Sequence, residues 1–223
     1  MDEELDYRKE LKKARAAIKN MPLRGYPNEI EAYMEVVYAL VLLAEQDLSE
    51  QDNEWEIASL ARDYLDIARQ LEQFDHVVST LYTATDRMLN TVSGHPRLQA
   101  ELLRFKILVL QRGCELSGHE SSLEDDLRNN LDAIEHNIAL ADAGRLNEIT
   151  SATHLRHDPV EWTARWEEII DEADRKVFDE LADMPRGMGF CHAFWPTRAK
   201  VLRRDYGIEW RSPAVMNPRV MFD

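Results

Sequence analysis

The apolar residues of positions 1–184 recur every three or four places, and this spacing constrains the fold more than any other feature of the sequence. The stripe of Ile30, Met34 and Val37 is one example. Such spacing gathers apolar side chains on one face of an α-helix, where they can pack against a neighbouring helix. No segment alternates apolar and polar residues convincingly, so the sequence predicts an all-α fold without a β-sheet.

Breaks at proline, glycine and capping residues divide this part of the chain into seven long helices, and a shorter eighth follows near the C-terminus. The clearest start signal is Asp158-Pro159-Val160-Glu161, which combines an N-cap, a first-turn proline and a capping-box acid. Because short connections place consecutive helices antiparallel, we predict an antiparallel helical bundle or helix-hairpin array of seven to eight helices. The predicted ranges are about 3–20, 28–48, 54–73, 76–92, 96–116, 121–144, 158–182 and 196–206.

Residues 185–223 depart from the helical pattern. This segment, called the tail below, holds four of the eight prolines and two of the five tryptophans. Proline interrupts helices, and large aromatic side chains anchor packed loops. We therefore expect a single domain over residues 1–223, with a helical body at 1–184 and the tail docked on it. If the chain has a functional site, the tail is the best place to look.

Charge is distributed unevenly along the chain, whose formal net charge is −15. Residues 1–185 carry 20 Lys and Arg against 39 Asp and Glu, whereas residues 186–223 carry 7 against 3. An acidic body repels phosphate backbones, so we expect no nucleic-acid partner. The carboxylates lie on the outer faces of many helices, as solubility requires, rather than on one face that imitates nucleic acid. The basic tail either docks on the acidic body or is reserved for an anionic ligand.

The cysteines and the apolar runs indicate the compartment. Cys114 and Cys191 are the two cysteines, and neither belongs to a CxxC pair. Few cysteines without a disulfide framework fit a reducing compartment, so we expect a cytoplasmic protein. The acidic N-terminus lacks the apolar run of a signal peptide. The longest unbroken apolar stretch, 36–44, is shorter than the roughly 20 residues that span a bilayer, so we expect no membrane partner.

Five residues suggest a metal site. His154 and His157 lie three apart before the seventh helix, and Glu161 follows four residues later. Cys191 and His192 add a thiol and an imidazole from the tail. Together these groups suit zinc, although no HExxH motif is present. The alternative is that the histidines are solvated or form ordinary hydrogen bonds. We predict no cofactor, with zinc at these residues as the alternative.

The tail also supplies candidate ligand contacts, in the form of aromatic rings, cations, a thiol and an imidazole. Large aromatics can line a pocket, but they more often anchor a segment to its own domain. The tail residues are therefore candidates either for ligand contact or for anchoring the tail to the body. The candidate ligand-binding residues are Arg186, Cys191, His192, Trp195, Arg198 and Trp210.

The function predicted from these features is non-catalytic. No convergent catalytic constellation is visible, whereas the helices offer broad surface, so we expect a binding or scaffold protein of unknown ligand. Its partner would be another protein or a second copy of the chain. The alternative is a metal-dependent, zinc-type hydrolase with its site between the 154–161 loop and the tail.

Overall fold

The computed structural model describes residues 6–151 and 155–222, and within these ranges it contains nine α-helices and no β-strand. The predicted all-α fold is confirmed. Eight helices correspond to those predicted, and the ninth is a single turn near the C-terminus. Their bounds are α1 Tyr7–Ile18, α2 Pro27–Glu50, α3 Ile57–Leu71, α4 Val78–Thr91, α5 Pro96–Ser117, α6 Leu123–Asp142, α7 Ala164–Glu180, α8 Cys191–Val201 and α9 Pro213–Met216.

Most helices that follow each other in the chain also pack together. Helix α2 contacts α1 and α3, and α5 contacts α4 and α6, while α2–α4 and α3–α5 contacts join the two groups. Side chains from α1 to α5 form the main core, in which Leu40, Tyr64 and Leu81 are fully buried. A smaller cluster joins α5, α6 and the turn at 159–162 through Leu103, Ile134 and Trp162. Among the described helices, none has both the length and the apolar composition needed to cross a bilayer.

Helices α7 and α8 begin farthest from their predicted starts at about 158 and 196. The Asp158 side chain accepts from the Val160 N–H, as an N-cap does, but Pro159–Trp162 forms a 3₁₀ turn instead of the first turn of α7. Helix α7 begins after this turn, where Thr163 caps it by accepting from the Trp166 N–H. Helix α8 begins at Cys191 rather than at Pro196, which therefore lies inside the helix.

The tail covers the side of α7, and its docking is confirmed. Val201 and Leu202 are fully buried in one cluster with Trp166 of α7. Helix α8 continues as a π-helical turn over Leu202–Tyr206 and ends at Gly207, whose φ of 68° suits glycine. Ile208 and Trp210 complete the cluster, which also contains Ile169, Ile170, Ala173 and Val177.

Ion pairs join the basic tail to acidic side chains of the body. Arg198 pairs with Asp174 through both carboxylate oxygens, and both side chains are largely buried. Burial raises the pKa of Asp174, and the Arg198 charge opposes that effect. Lys200 pairs with Glu180 at a more exposed position, where an ion pair contributes little. The basic tail therefore docks on the acidic body, one of the two alternatives left open by the sequence.

A second buried charge cluster holds α7 against the start of α5. His95, the N-cap residue of α5, is 8% exposed. Its Nε2 lies 2.9 Å from Asp171 Oδ1, and its Nδ1 lies 3.5 Å from Glu167 Oε1. Burial lowers the pKa of His95, but hydrogen bonding and attraction to the two carboxylates outweigh burial and raise it to about 9.

The buried face of the tail provides a test of docking. Leu202→Ala removes a side chain with 0% exposure, so we expect the free energy of unfolding to fall by about 2–5 kcal/mol. Urea unfolding measures this quantity. The neighbouring Arg203 is exposed, and Arg203→Ala should change stability by no more than about 0.5 kcal/mol. Equal effects of the two substitutions would contradict the packing of the tail on α7.

The His95 cluster predicts a loss of stability at alkaline pH. Because the pKa of His95 in the folded protein, about 9, lies above the unfolded value, its contribution is complete below about pH 6.5 and declines as the pH rises through 9. We expect up to about 3 kcal/mol of this contribution to be lost by pH 10. Urea unfolding should show a steeper pH dependence in the wild-type protein than in His95→Gln. The variant of exposed His119, His119→Gln, should keep the wild-type slope.

Candidate functional site

A cleft of about 380 Å³ lies where the end of α4, the start of α5, α6 and the loop before α7 meet. Its volume falls within the range of small-molecule sites. Apolar side chains and uncharged polar side chains form most of the lining, together with one histidine and one glutamate. The lining residues are Leu89, Asn90, Ser93, Gly94, Pro96, Gln99, Leu103, Asn130, Ile134, Thr150, Ser151, His157, Glu161 and Trp162.

Two asparagine side chains fix the loop that forms one wall of the cleft. Asn137 of α6 donates to Thr150 O at 2.8 Å and accepts from Thr150 N at 3.3 Å. Asn217 of the tail makes the same pair of bonds to Arg156, donating to its O and accepting from its N, both at 2.9 Å. The loop is thus anchored to α6 on one side of residues 152–154 and to the tail on the other.

The Glu161 carboxylate is the buried anion of the cleft. This side chain is 7% exposed, and its Oε1 accepts from Trp210 Nε1 at 2.7 Å. Its Oε2 lies 3.0 Å from His157 Nδ1. The sequence context predicted that Glu161 would be a capping-box acid. Its carboxylate bonds to Trp210 and His157 instead. The 3₁₀ turn directs the carboxylate toward the tail and the loop instead.

His157 presents a half-exposed ring to the cleft, with 45% of its side chain exposed. Since a carboxylate accepts, Nδ1 is the protonated nitrogen, and Nε2 is left for a ligand. The hydrogen bond to Glu161 raises the pKa of His157, against the opposing effect of burial. The ring therefore holds its positive charge to a higher pH than a free histidine does. An imidazolium in this position can donate from Nε2, whereas a neutral ring can accept there.

The structure brings together two of the five predicted metal ligands, His157 and Glu161, and their contact is a hydrogen bond. His154 lies outside the described residues. Cys191 and His192 begin α8, and the His192 ring lies edge-on to Trp195 with centroids 6.3 Å apart. Among residues 6–151 and 155–222, no three His, Cys, Asp or Glu side chains form a group that could hold a metal ion. The zinc site remains a prediction.

The other predicted ligand contacts, Arg186, Trp195, Arg198 and Trp210, also make contacts within the chain. Arg186 lies over the rings of Phe178 and Phe190, at 4.7 and 4.5 Å from the centroids. Trp195 meets the Phe222 ring edge-on at 5.2 Å. Arg198 is paired with Asp174 and lies over the Trp210 ring. Of these four residues, Trp210 contacts a side chain of the cleft lining, through its bond to Glu161.

Sequence reasoning missed Asn137 and Asn217, which hold the loop, and most of the residues that line the cleft, including Asn130. Asn130 and Asn137 lie seven residues apart on α6, on the same face as buried Ile134. Two amides at helical spacing within an apolar face were therefore a signal of a polar site. The other missed lining residues carry no comparable signal, since isolated Ser, Gln and Leu residues occur throughout helical proteins.

Comparison with known proteins found no matching family model, no similar curated protein and no similar solved structure. The site is therefore interpreted from its own geometry.

The contact between Glu161 and His157 predicts a measurable pKa change. Glu161→Gln removes the negative charge but keeps an oxygen for Trp210, so the pKa of His157 should fall while the fold is retained. An NMR titration of the imidazole C–H signals, assigned with His157→Gln, measures this change. Glu148→Gln alters an exposed glutamate paired with Arg145 and should leave the His157 titration unchanged. The same His157 titration in Glu161→Gln as in the wild-type protein would contradict the assigned contact.

Proposed function

We propose that this chain is a non-catalytic helical binding protein, and that the cleft between α4, α5, α6 and the loop holds a small organic ligand. The observation that carries the proposal is the combination of an apolar floor with one pre-positioned imidazole. Small-molecule sites are typically apolar pockets with a few polar groups that fix the orientation of the ligand. The zinc-type hydrolase stays an alternative prediction without a specific observation in its favour.

The floor and the rim of the cleft differ in polarity. Leu103, Ile134 and Trp162 are buried, with exposures of 1%, 6% and 7%, and all three line the cleft. Asn130 and Thr150 line it too and are exposed. A ligand can therefore bury apolar surface against the floor while its polar groups remain near the rim.

Order within the cleft also supports binding. The backbone groups of Thr150 and Arg156 form four hydrogen bonds with two asparagine side chains, and the His157 ring is held by the carboxylate of Glu161. A site that is ordered before the ligand arrives loses less conformational entropy on binding.

We further propose a cytoplasmic location and a protein partner or self-association, with no nucleic-acid partner. The net charge of −15 supports the exclusion of nucleic acid, because the phosphate backbone is repelled. The end of the tail supports a protein contact, since Met221 is 92% exposed and Val220 is 44% exposed.

Two adjacent asparagines of α6 provide a matched test of the cleft. Asn130 lines the cleft and Asn129 does not, although both are exposed on the same helix. We expect a fragment library screened by ligand-observed NMR to yield compounds that bind the wild-type protein and Asn129→Trp. Their binding should be lost in Asn130→Trp, whose indole fills the opening. Compounds that bind Asn130→Trp as well as Asn129→Trp would show that the cleft is not the binding site.

A further inference from the structure

We propose that the ligand of the cleft is a small amphipathic acid, whose apolar part covers Leu103 and Trp162 while its carboxylate accepts a hydrogen bond from His157 Nε2. This inference rests on the proposed function and names the ligand class of the same cleft.

The charges that line the cleft favour an anion over a cation. Among the described lining residues, His157 and Glu161 are the ionisable ones. Both oxygens of Glu161 already accept, one from His157 and the other from Trp210. A cationic ligand would therefore have to compete for a buried carboxylate that is already paired. An anionic ligand can accept a hydrogen bond from Nε2 of the imidazolium form, which the contact with Glu161 favours.

The hydrogen bond between His157 and Glu161 favours the cationic form of the ring. Glu161 is the charged group that faces it, and their hydrogen bond raises the pKa of His157. The polar groups that the helices contribute are uncharged: Asn90 from α4, Gln99 from α5 and Asn130 from α6, with Ser93 from the turn between α4 and α5 and Thr150 and Ser151 from the loop. No second cation competes with the ring for a ligand carboxylate among these lining residues. A charge-assisted hydrogen bond is stronger than a neutral one.

The position of the ring relative to the floor requires an amphipathic molecule rather than a simple anion. His157 is half-exposed, whereas Leu103 and Trp162 are buried. A ligand that spans both regions carries its charge at one end and apolar surface at the other. The volume of about 380 Å³ accommodates a chain of about eight carbons, well within the range of small-molecule pockets.

The experiment compares three probes with the same chain and different head groups: octanoate, 1-octanol and octylammonium. Isothermal titration calorimetry at pH 6 gives Kd for the wild-type protein, His157→Gln, Asn130→Trp and Asn129→Trp. We expect octanoate to bind the wild-type protein about tenfold more tightly than 1-octanol, as a hydrogen bond to a charged group predicts. Octylammonium should bind no more tightly than 1-octanol.

His157→Gln should remove the preference for octanoate over 1-octanol. Raising the pH from 6 to a value at which the NMR titration shows the His157 ring to be neutral should weaken octanoate binding in the wild-type protein but not in His157→Gln. The 1-octanol affinity, measured at both pH values, controls for other changes in the protein. Asn129→Trp should behave as the wild-type protein does.

Each failure has a separate meaning. If 1-octanol binds as tightly as octanoate and Asn130→Trp abolishes both, the ligand class is wrong but the cleft is the binding site. If octanoate binds equally well to Asn130→Trp and Asn129→Trp, the proposed site itself is wrong. Failure of octanoate to bind the wild-type protein at millimolar concentration overturns the inference, while the fragment screen decides the proposed function separately.

Discussion

Trp166 is the side chain on which the body and the tail of this protein meet. It is fully buried, its Nε1 donates to Gly94 O at 2.8 Å, and its ring lies 6.1 Å from that of Trp210. Trp210 in turn donates to Glu161, which holds the His157 ring at the cleft. The docking of the tail and the geometry of the cleft therefore depend on one continuous set of contacts.

The same interface explains how so acidic a chain packs a helix with several carboxylates against its body. Asp171 and Glu167 of α7 face His95, and Asp174 faces Arg198. A buried charge is tolerated when a partner and hydrogen bonds replace its hydration, and removal of one partner leaves a costly unpaired charge. The charge difference between body and tail is thus expressed in the largely buried Arg198–Asp174 pair, while more exposed pairs such as Lys200–Glu180 add little.

The sequence was sufficient to predict the helices because the spacing of apolar residues is visible within each helix, without knowledge of its neighbours. The predicted fifth helix, 96–116, differs by one residue from Pro96–Ser117. The sequence was insufficient to predict the orientation of the Glu161 side chain. The local pattern of an N-cap, a proline and an acid is the same whether the acid caps a helix or turns inward. The partner that decided its orientation, Trp210, lies 49 residues away in the chain, and a local pattern does not contain that contact.

The candidate residues of the tail show the same limit of local sequence patterns. The sequence left open whether the aromatic and cationic residues of the tail anchor it or meet a ligand, and the contacts of Arg198 and Trp210 are with other parts of the chain. Their effect on the cleft is indirect, through Glu161. Under the proposed function, linkage then requires reciprocity: whatever loosens Trp210 from Glu161 weakens the hold on His157, and a ligand that engages His157 favours the docked tail by the same free energy. Binding at the cleft and docking of the tail are therefore two measurements of one coupled equilibrium.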